Sequence, residues 1–270
     1  MNEQLNVQSL DTVCAALAQL LGAEKPEKAA PAAPQILELA EKTFGAAKAD
    51  RIFMYNPDAV AEWIYRKYPF QTQYAKAKSA LELPLQTVMP SVTPVCFGTM
   101  YTGAQPEVHG IRRYEKPVIA IDTLFDALIR AGKKPAIVAD SECSMGKIFL
   151  NRPMDYFIFD SIPEVNACAA KLILEDKYDF IAVYNGNYDS TMHRYGPESP
   201  EALAELDANA HTFAMFTELI RTGWTSHDTL IGFAMDHGCH EIDGHCGSHG
   251  LDMPEDLNIC HLYNAIPKRS

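Results

Sequence analysis

Short continuous apolar runs alternate with longer stretches of helical periodicity along most of this chain. Strands are predicted at RIFMY (51–55), PVIAI (117–121), PAIVA (135–139), DYFIF (155–159), DFIAVYN (179–185) and TLIGFAMD (229–236). Helices are predicted between them, at ILELAEKTFG, AVAEWIYRKY, TLFDALIRAG, EVNACAAKLILE and the long PEALAELDANAHTFAMFTELIRTG. Strands that are apolar throughout, rather than alternating with polar positions, belong in a sheet covered on both faces. The expected fold is therefore α/β, a three-layer arrangement of a mostly parallel sheet with helices on both faces. Residues 7–21 place Leu10, Val13, Cys14, Leu17, Leu20 and Leu21 at helical spacing, and an Ala/Pro-rich run, EKPEKAAPAAP, follows. The expected organisation is a helix and tether over 1–34 and one catalytic-sized domain over 35–270.

In open parallel sheets, ligands sit at the carboxyl ends of the strands. Asp58 follows the 51–56 run through Pro57, Asp189 follows 179–185, and Asp236 with His237 ends 229–235. All four polar groups are expected on one rim.

Composition narrows the partners. Across 270 residues the formal net charge is -12, and Lys and Arg are outnumbered, so a nucleic-acid polymer is excluded as a partner. Bound divalent cations would offset part of that charge. Seven cysteines at irregular spacing read as reduced thiols. The first residues carry no basic n-region and no apolar run reaches membrane-spanning length, so a cytoplasmic, non-membrane protein is expected.

The candidate chemistry concentrates in AMDHGCHEIDGHCGSHG (234–250), with four His, two Cys, two Asp and a Glu. A second element, Asp189-Ser-Thr-Met-His193, puts a carboxylate and an imidazole four residues apart, able to reach one cation across a helical turn. A third, Ser91-Val-Thr93-Pro94, fits a helix start with Thr93 at the N-cap and Pro94 at the first helical position. Two readings stand for Thr93: a plain cap, or a nucleophile at the positive end of a helix, where a phosphoryl oxyanion is favoured. A threonine hydroxyl needs a base or a metal to act.

Three segments together, DHG with GSHG, YDSTMHRYGPES, and PSVTPVCFGTMYTGAQPEVHGI, resemble the alkaline phosphatase superfamily, nearest its nucleotide pyrophosphatase/phosphodiesterase branch. The resemblance runs in consistent order from about residue 50 to 268. It implies two divalent metal ions, zinc by donor type with manganese as the alternative. It assigns Asp189, His193 and His249 to one ion, and Asp58, Asp236, His237 and the Thr93 oxygen to the other. Thr93 would be the nucleophile on a small-molecule phosphodiester or pyrophosphate.

The sequence also departs from that pattern. The branch's oxyanion-binding Asn falls here on Tyr114, in Arg112-Arg113-Tyr114, so Tyr114 and Arg113 become the expected substrate contacts, and a monoester remains an alternative substrate. A phosphonate hydrolase, a phosphomutase or a non-catalytic metal-binding protein would share the same ligands. No sulfatase-type Cys-x-Pro-x-Arg occurs. The segment between His237 and His249 is short, which leaves the N-terminal helix or a second subunit of a homo-oligomer as the expected covers. A separate zinc on Cys239, His240, His245 and Cys246 is the lesser reading of those residues, a local loop framework the greater.

Overall fold

The computed structural model describes residues 4–269. Its main sheet contains β1 (Arg51–Pro57), β2 (Leu81–Gln86), β3 (Pro135–Asp140), β4 (Asp155–Phe159), β5 (Phe180–Asn185) and β6 (Thr229–Phe233). A two-stranded ribbon follows, β7 (His240–Ile242) with β8 (Cys246–Ser248), and β9 (Asn258–Ile266) then returns to the main sheet. The order is β2-β9-β6-β1-β5-β3-β4, with β9 antiparallel to both its neighbours and the pairs among β6, β1, β5, β3 and β4 parallel. The expected mostly parallel three-layer α/β fold is the one observed.

Adjacent strand positions point to opposite faces, and β1 shows both being covered. Phe53 and Tyr55 pack on Phe216 of the long helix Pro200–Gly223. On the other face, Asn56 accepts a 2.8 Å hydrogen bond from Tyr101 of the helix Thr93–Thr102. The long helix starts where its sequence says it should, with the Ser199 hydroxyl accepting from the Ala202 N–H at 3.1 Å and Pro200 in the first turn.

Three local expectations change. Residues 117–121 form no strand: Ile119 donates to the Ile148 carbonyl, and the Ile119 carbonyl accepts from the Arg152 guanidinium at 3.0 Å, so a side chain stands where a neighbouring strand would be. β2 and β9 were not expected, because Pro84 and Glu82 interrupt one run and His261 and Asn264 the other. β2 is an edge strand, where proline is tolerated, and the chain at Gln8 to Leu10 hydrogen-bonds to Gln86 across that edge.

The early helix spans Thr12–Leu20, shorter than the 7–21 pattern, and Val13, Cys14, Leu17 and Leu20 are fully buried. The Ala/Pro run after it also lies against the sheet-covering helices: the Ala30 N–H donates to the Gly103 carbonyl at 2.8 Å. Gly103 closes the helix Thr93–Thr102 at the end opposite Thr93, so this contact of the Ala/Pro run lies roughly 15 Å along the helix axis from that threonine.

Candidate metal centre

β6, β1 and β5 lie side by side, and the chain leaves each of them carrying acid or imidazole. Asp58 follows β1 directly, Asp236 and His237 follow β6 by three and four residues, and β5 leads into the helix Asn187–Tyr195, which bears Asp189 and His193. His249 arrives with the β7–β8 ribbon. That ribbon is docked on the same helix, since the Gly247 carbonyl accepts from His193 Nδ1 at 2.9 Å.

Among the described residues, two groups of donor atoms gather: Asp189, His193 and His249, and Asp58, Asp236 and His237, each set within 4.8 Å. Thr93 apart, these are the same residues that the sequence reading assigned to two ions. They adjoin, with the His237 and His249 ring centroids 4.2 Å apart. Thr93 Oγ1 lies 3.3 Å from Asp58 Oδ2 and 3.3 Å from His237 Nε2, so the threonine belongs to the second group. The helix begins one residue earlier than expected, with Val92 as N-cap and Thr93 as first helical residue. Thr93 makes no capping hydrogen bond, and its hydroxyl is turned to the acids instead.

The imidazoles are oriented by backbone. Nδ1 of His193, His237 and His249 faces the carbonyls of Gly247, Gly238 and Ser91 at 2.9, 2.9 and 3.0 Å. A carbonyl only accepts, so Nδ1 carries the proton, and in the neutral ring Nε2 presents a bare lone pair. All three Nε2 atoms point inward, each able to take a metal in place of a proton. Nε2 of His193 and Nε2 of His249 are 3.0 Å apart, and Asp189 Oδ1 lies 3.2 and 3.4 Å from them. That oxygen is buried without a hydrogen-bond partner among the described residues, and so is Asp236 Oδ2. Acceptors facing acceptors repel unless a cation lies among them, and N/O donors of this kind suit zinc or manganese. Burial pushes the Asp236 carboxyl well above the usual carboxylate range, and the Asp58 charge adds to it. Burial opposes the His237 imidazolium, yet Asp236 and Asp58 outweigh it and raise that group to about 10. With both acids ionised, the second group would hold two buried negative charges against one imidazolium. The residues fit a pair of divalent cations.

The expected substrate contacts are less closely drawn in. Tyr114 is 61% exposed, and its phenol is raised above the ordinary value by partial burial and by the charges of Asp58 and Asp189. Arg113 is exposed and paired with Glu115 at 2.9 Å, with no contact to the metal-ligand residues among its hydrogen bonds and ion pairs.

The remaining cluster residues act as framework. His240 Nδ1 meets Asp256 at 2.7 Å, while Asp256 also accepts from the Leu251 N–H and, through its carbonyl, from the Gly238 N–H, both at 2.8 Å. One aspartate thereby fastens both ends of the ligand-bearing loop. Cys239 is buried and the His245 side chain is 95% exposed, so these two and their neighbours His240 and Cys246 do not gather as a second metal site. His109 accepts from the Ile111 N–H and meets the Thr99 hydroxyl at 3.1 Å, a clip holding the helix that carries Thr93. Tyr184, at the end of β5, was missed by sequence reasoning. Its hydroxyl donates to Asp58 Oδ2, and nothing in an apolar strand run marks one tyrosine as polar-facing.

Residues 140–258 match the family model for type I phosphodiesterase / nucleotide pyrophosphatase, a span that contains Asp189, His193, Asp236, His237 and His249 but not Asp58 or Thr93. The solved structure of murine ectonucleotide pyrophosphatase / phosphodiesterase 5 shares the fold, at TM-score 0.57 and 17% identity over 72% of this chain and 58% of that one. The human protein matches at TM-score 0.57 and 15% identity with the same coverage. An inactive variant of the murine protein, in complex with AMP, matches at TM-score 0.56 and 17% identity over 72% and 59%. This chain thus spans less than two thirds of the length of these solved chains. No curated protein matches it. No helix among the described residues is long and apolar enough to cross a membrane. The fold is alkaline phosphatase-like, shared with these solved structures, and residues 140–258 match the type I phosphodiesterase / nucleotide pyrophosphatase family model.

Proposed function

We propose that this protein is a two-metal hydrolase that cleaves a phosphodiester or pyrophosphate bond of a small molecule, with Thr93 as nucleophile. The observation that carries the reading is the Thr93 hydroxyl lying 3.3 Å from Asp58 and from His237, at the start of a buried ten-residue helix. Asp189, His193 and His249 would hold one divalent ion, and Asp58, Asp236, His237 and the Thr93 oxygen the other. When bound, such ions would lower the pKa of the threonine hydroxyl and neutralise charge developing on the leaving oxygen.

The chain's own contribution is placement. The helix puts its positive end behind Thr93, where a phosphoryl group would sit. Thr93 Oγ1 gives up its proton and bonds to phosphorus as the bond to the leaving oxygen breaks, the leaving group departs with that proton, and the rest of the substrate stays on threonine as a phosphodiester. Water then cleaves that P–Oγ1 bond, releasing the phosphate product and restoring the hydroxyl. Tyr114 would donate a hydrogen bond to a phosphate oxygen, and Arg113 would join it once released from Glu115. A nucleotide-sized substrate is supported by the AMP complex of the murine relative.

A phosphomonoesterase is the second reading, favoured by Tyr114 standing in the Arg112-Arg113-Tyr114 stretch where the branch has an asparagine. Turnover of bis-(p-nitrophenyl) phosphate beside p-nitrophenyl phosphate, with zinc or manganese supplied, separates the two. Faster hydrolysis of the diester supports the first reading, faster hydrolysis of the monoester the second, and turnover of neither removes both.

A further inference from the structure

In each buried acid of the second ligand group one oxygen is restrained by a group outside that ligand set. Asp236 Oδ1 accepts from the Ala59 N–H at 3.2 Å, leaving Oδ2 without a hydrogen bond and 3.3 Å from His237 Nε2. For Asp58 the restraint is a side chain. Tyr184 donates its hydroxyl to Oδ2, while Oδ1 lies 3.3 Å from the same His237 nitrogen and 3.5 Å from Thr93 Oγ1. The phenol is buried, and its ring packs edge-on against Phe97, one turn along the helix from Thr93.

A second, independent feature shows that space is kept for this hydroxyl. Gly186 has φ −96°, a conformation open to any residue, so backbone strain does not call for glycine there. A Cβ at Gly186 would instead lie 2.6 Å from the Tyr184 hydroxyl oxygen and 3.0 Å from its ring. The missing side chain lets the phenol reach Asp58.

We infer that Tyr184, admitted by Gly186, is a positioning residue that sets which oxygen of Asp58 is offered to the cation beside Thr93. This rests on the proposed metal-dependent function, because it concerns how tightly that cation is held. A donor fixed on one carboxylate oxygen restricts rotation of the group and leaves the other oxygen to coordinate, and losing such a partner typically weakens metal binding about 10- to 100-fold.

The test is divalent-metal titration of the metal-stripped protein, followed calorimetrically with zinc or manganese alone and no substrate. Tyr184→Phe keeps the ring and removes the donor, so the weaker of two binding steps, or one of them, should loosen about 10- to 100-fold while melting of the metal-stripped protein changes little. Gly186→Ala should give the same loss with the phenol still present, by displacing it. The double variant should lose no more than either single one. Unchanged metal affinity in both single variants overturns the inference while leaving the two-metal reading intact. A wild-type protein that binds no divalent ion overturns that reading itself.

Discussion

His193 and His249, fifty-six positions apart in sequence, bring their Nε2 atoms to 3.0 Å from one another while each ring's Nδ1 faces a backbone carbonyl. Two neutral imidazoles held this way present lone pair to lone pair, with the buried Asp189 oxygen a third acceptor beside them. Such a trio calls for positive charge, either a proton, which Asp189 favours on His193, or a bound cation that replaces it. Stripping divalent ions with a chelator should therefore lower the melting temperature, and restoring them at about 100 times their dissociation constant should return roughly 2.7 kcal/mol for each ion bound. Thermal denaturation with and without chelator checks this.

Thr93 has no capping role to lose, because its hydroxyl makes none of the helix-start hydrogen bonds. Thr93→Ala should retain metal and melt near the wild-type temperature, while turnover falls by at least about a thousandfold, as expected when a nucleophile is removed. Thr93→Ser should keep measurable activity. Steady-state kinetics together with metal analysis of the same samples distinguishes a nucleophile from a helix cap.

Gly238 sits between the ligand loop and the turn at Glu255, whose carbonyl oxygen a Cβ would approach to 2.0 Å. That oxygen is backbone and is held by the Cys239 N–H at 3.1 Å, so it cannot simply swing aside. Gly238→Ala should cost about 1–3 kcal/mol as an overpacked site and should also reduce metal retention, because Asp236 and His237 move with the loop. Denaturant melts paired with metal content measure both effects.

His261 lies fully buried on β9, with Nε2 on the Met235 carbonyl at 2.7 Å and Nδ1 facing the Tyr263 hydroxyl at 2.9 Å. Burial lowers its pKa from an ordinary 6.5 to about 4. The unfolded chain therefore takes up a proton below pH 6.5 that the folded one refuses until about pH 4. Stability is unaffected by this group above pH 6.5 and declines as pH falls through that window, by up to about 3 kcal/mol in total. His261→Gln should flatten the decline between pH 6.5 and 4, measured with chelator present so that metal loss does not contribute. An unchanged slope would contradict it.

Much of this site was legible because its residues sit at the ends of strands whose apolar runs are unmistakable. Asp58, Asp189 and Asp236 could be placed on one rim from strand order and length alone, and the helix Asn187–Tyr195 supplies the turn that four-residue spacing requires. What was not legible depends on side-chain direction. Tyr184 sits in a fully buried strand like its neighbours, and only coordinates show its hydroxyl on Asp58. Gly186 gives no cue in sequence, since its role is to leave a volume empty. The strand expected at 117–121 failed for a related reason: Arg152, thirty-odd residues away, supplies hydrogen bonds that propensity assigns to a neighbouring strand. Arg113 was expected at the substrate because it adjoins Tyr114, and its pairing with Glu115, two positions on, could not be read from the sequence pattern.

The stoichiometry of bound divalent metal tests the central claim most directly. Elemental analysis after equilibrium dialysis against micromolar zinc should give about two ions per chain, falling to about one in His193→Ala and in Asp236→Asn, with different ions lost in each. A chain that binds no zinc under those conditions, or whose two variants bind as much as the wild type, contradicts the account.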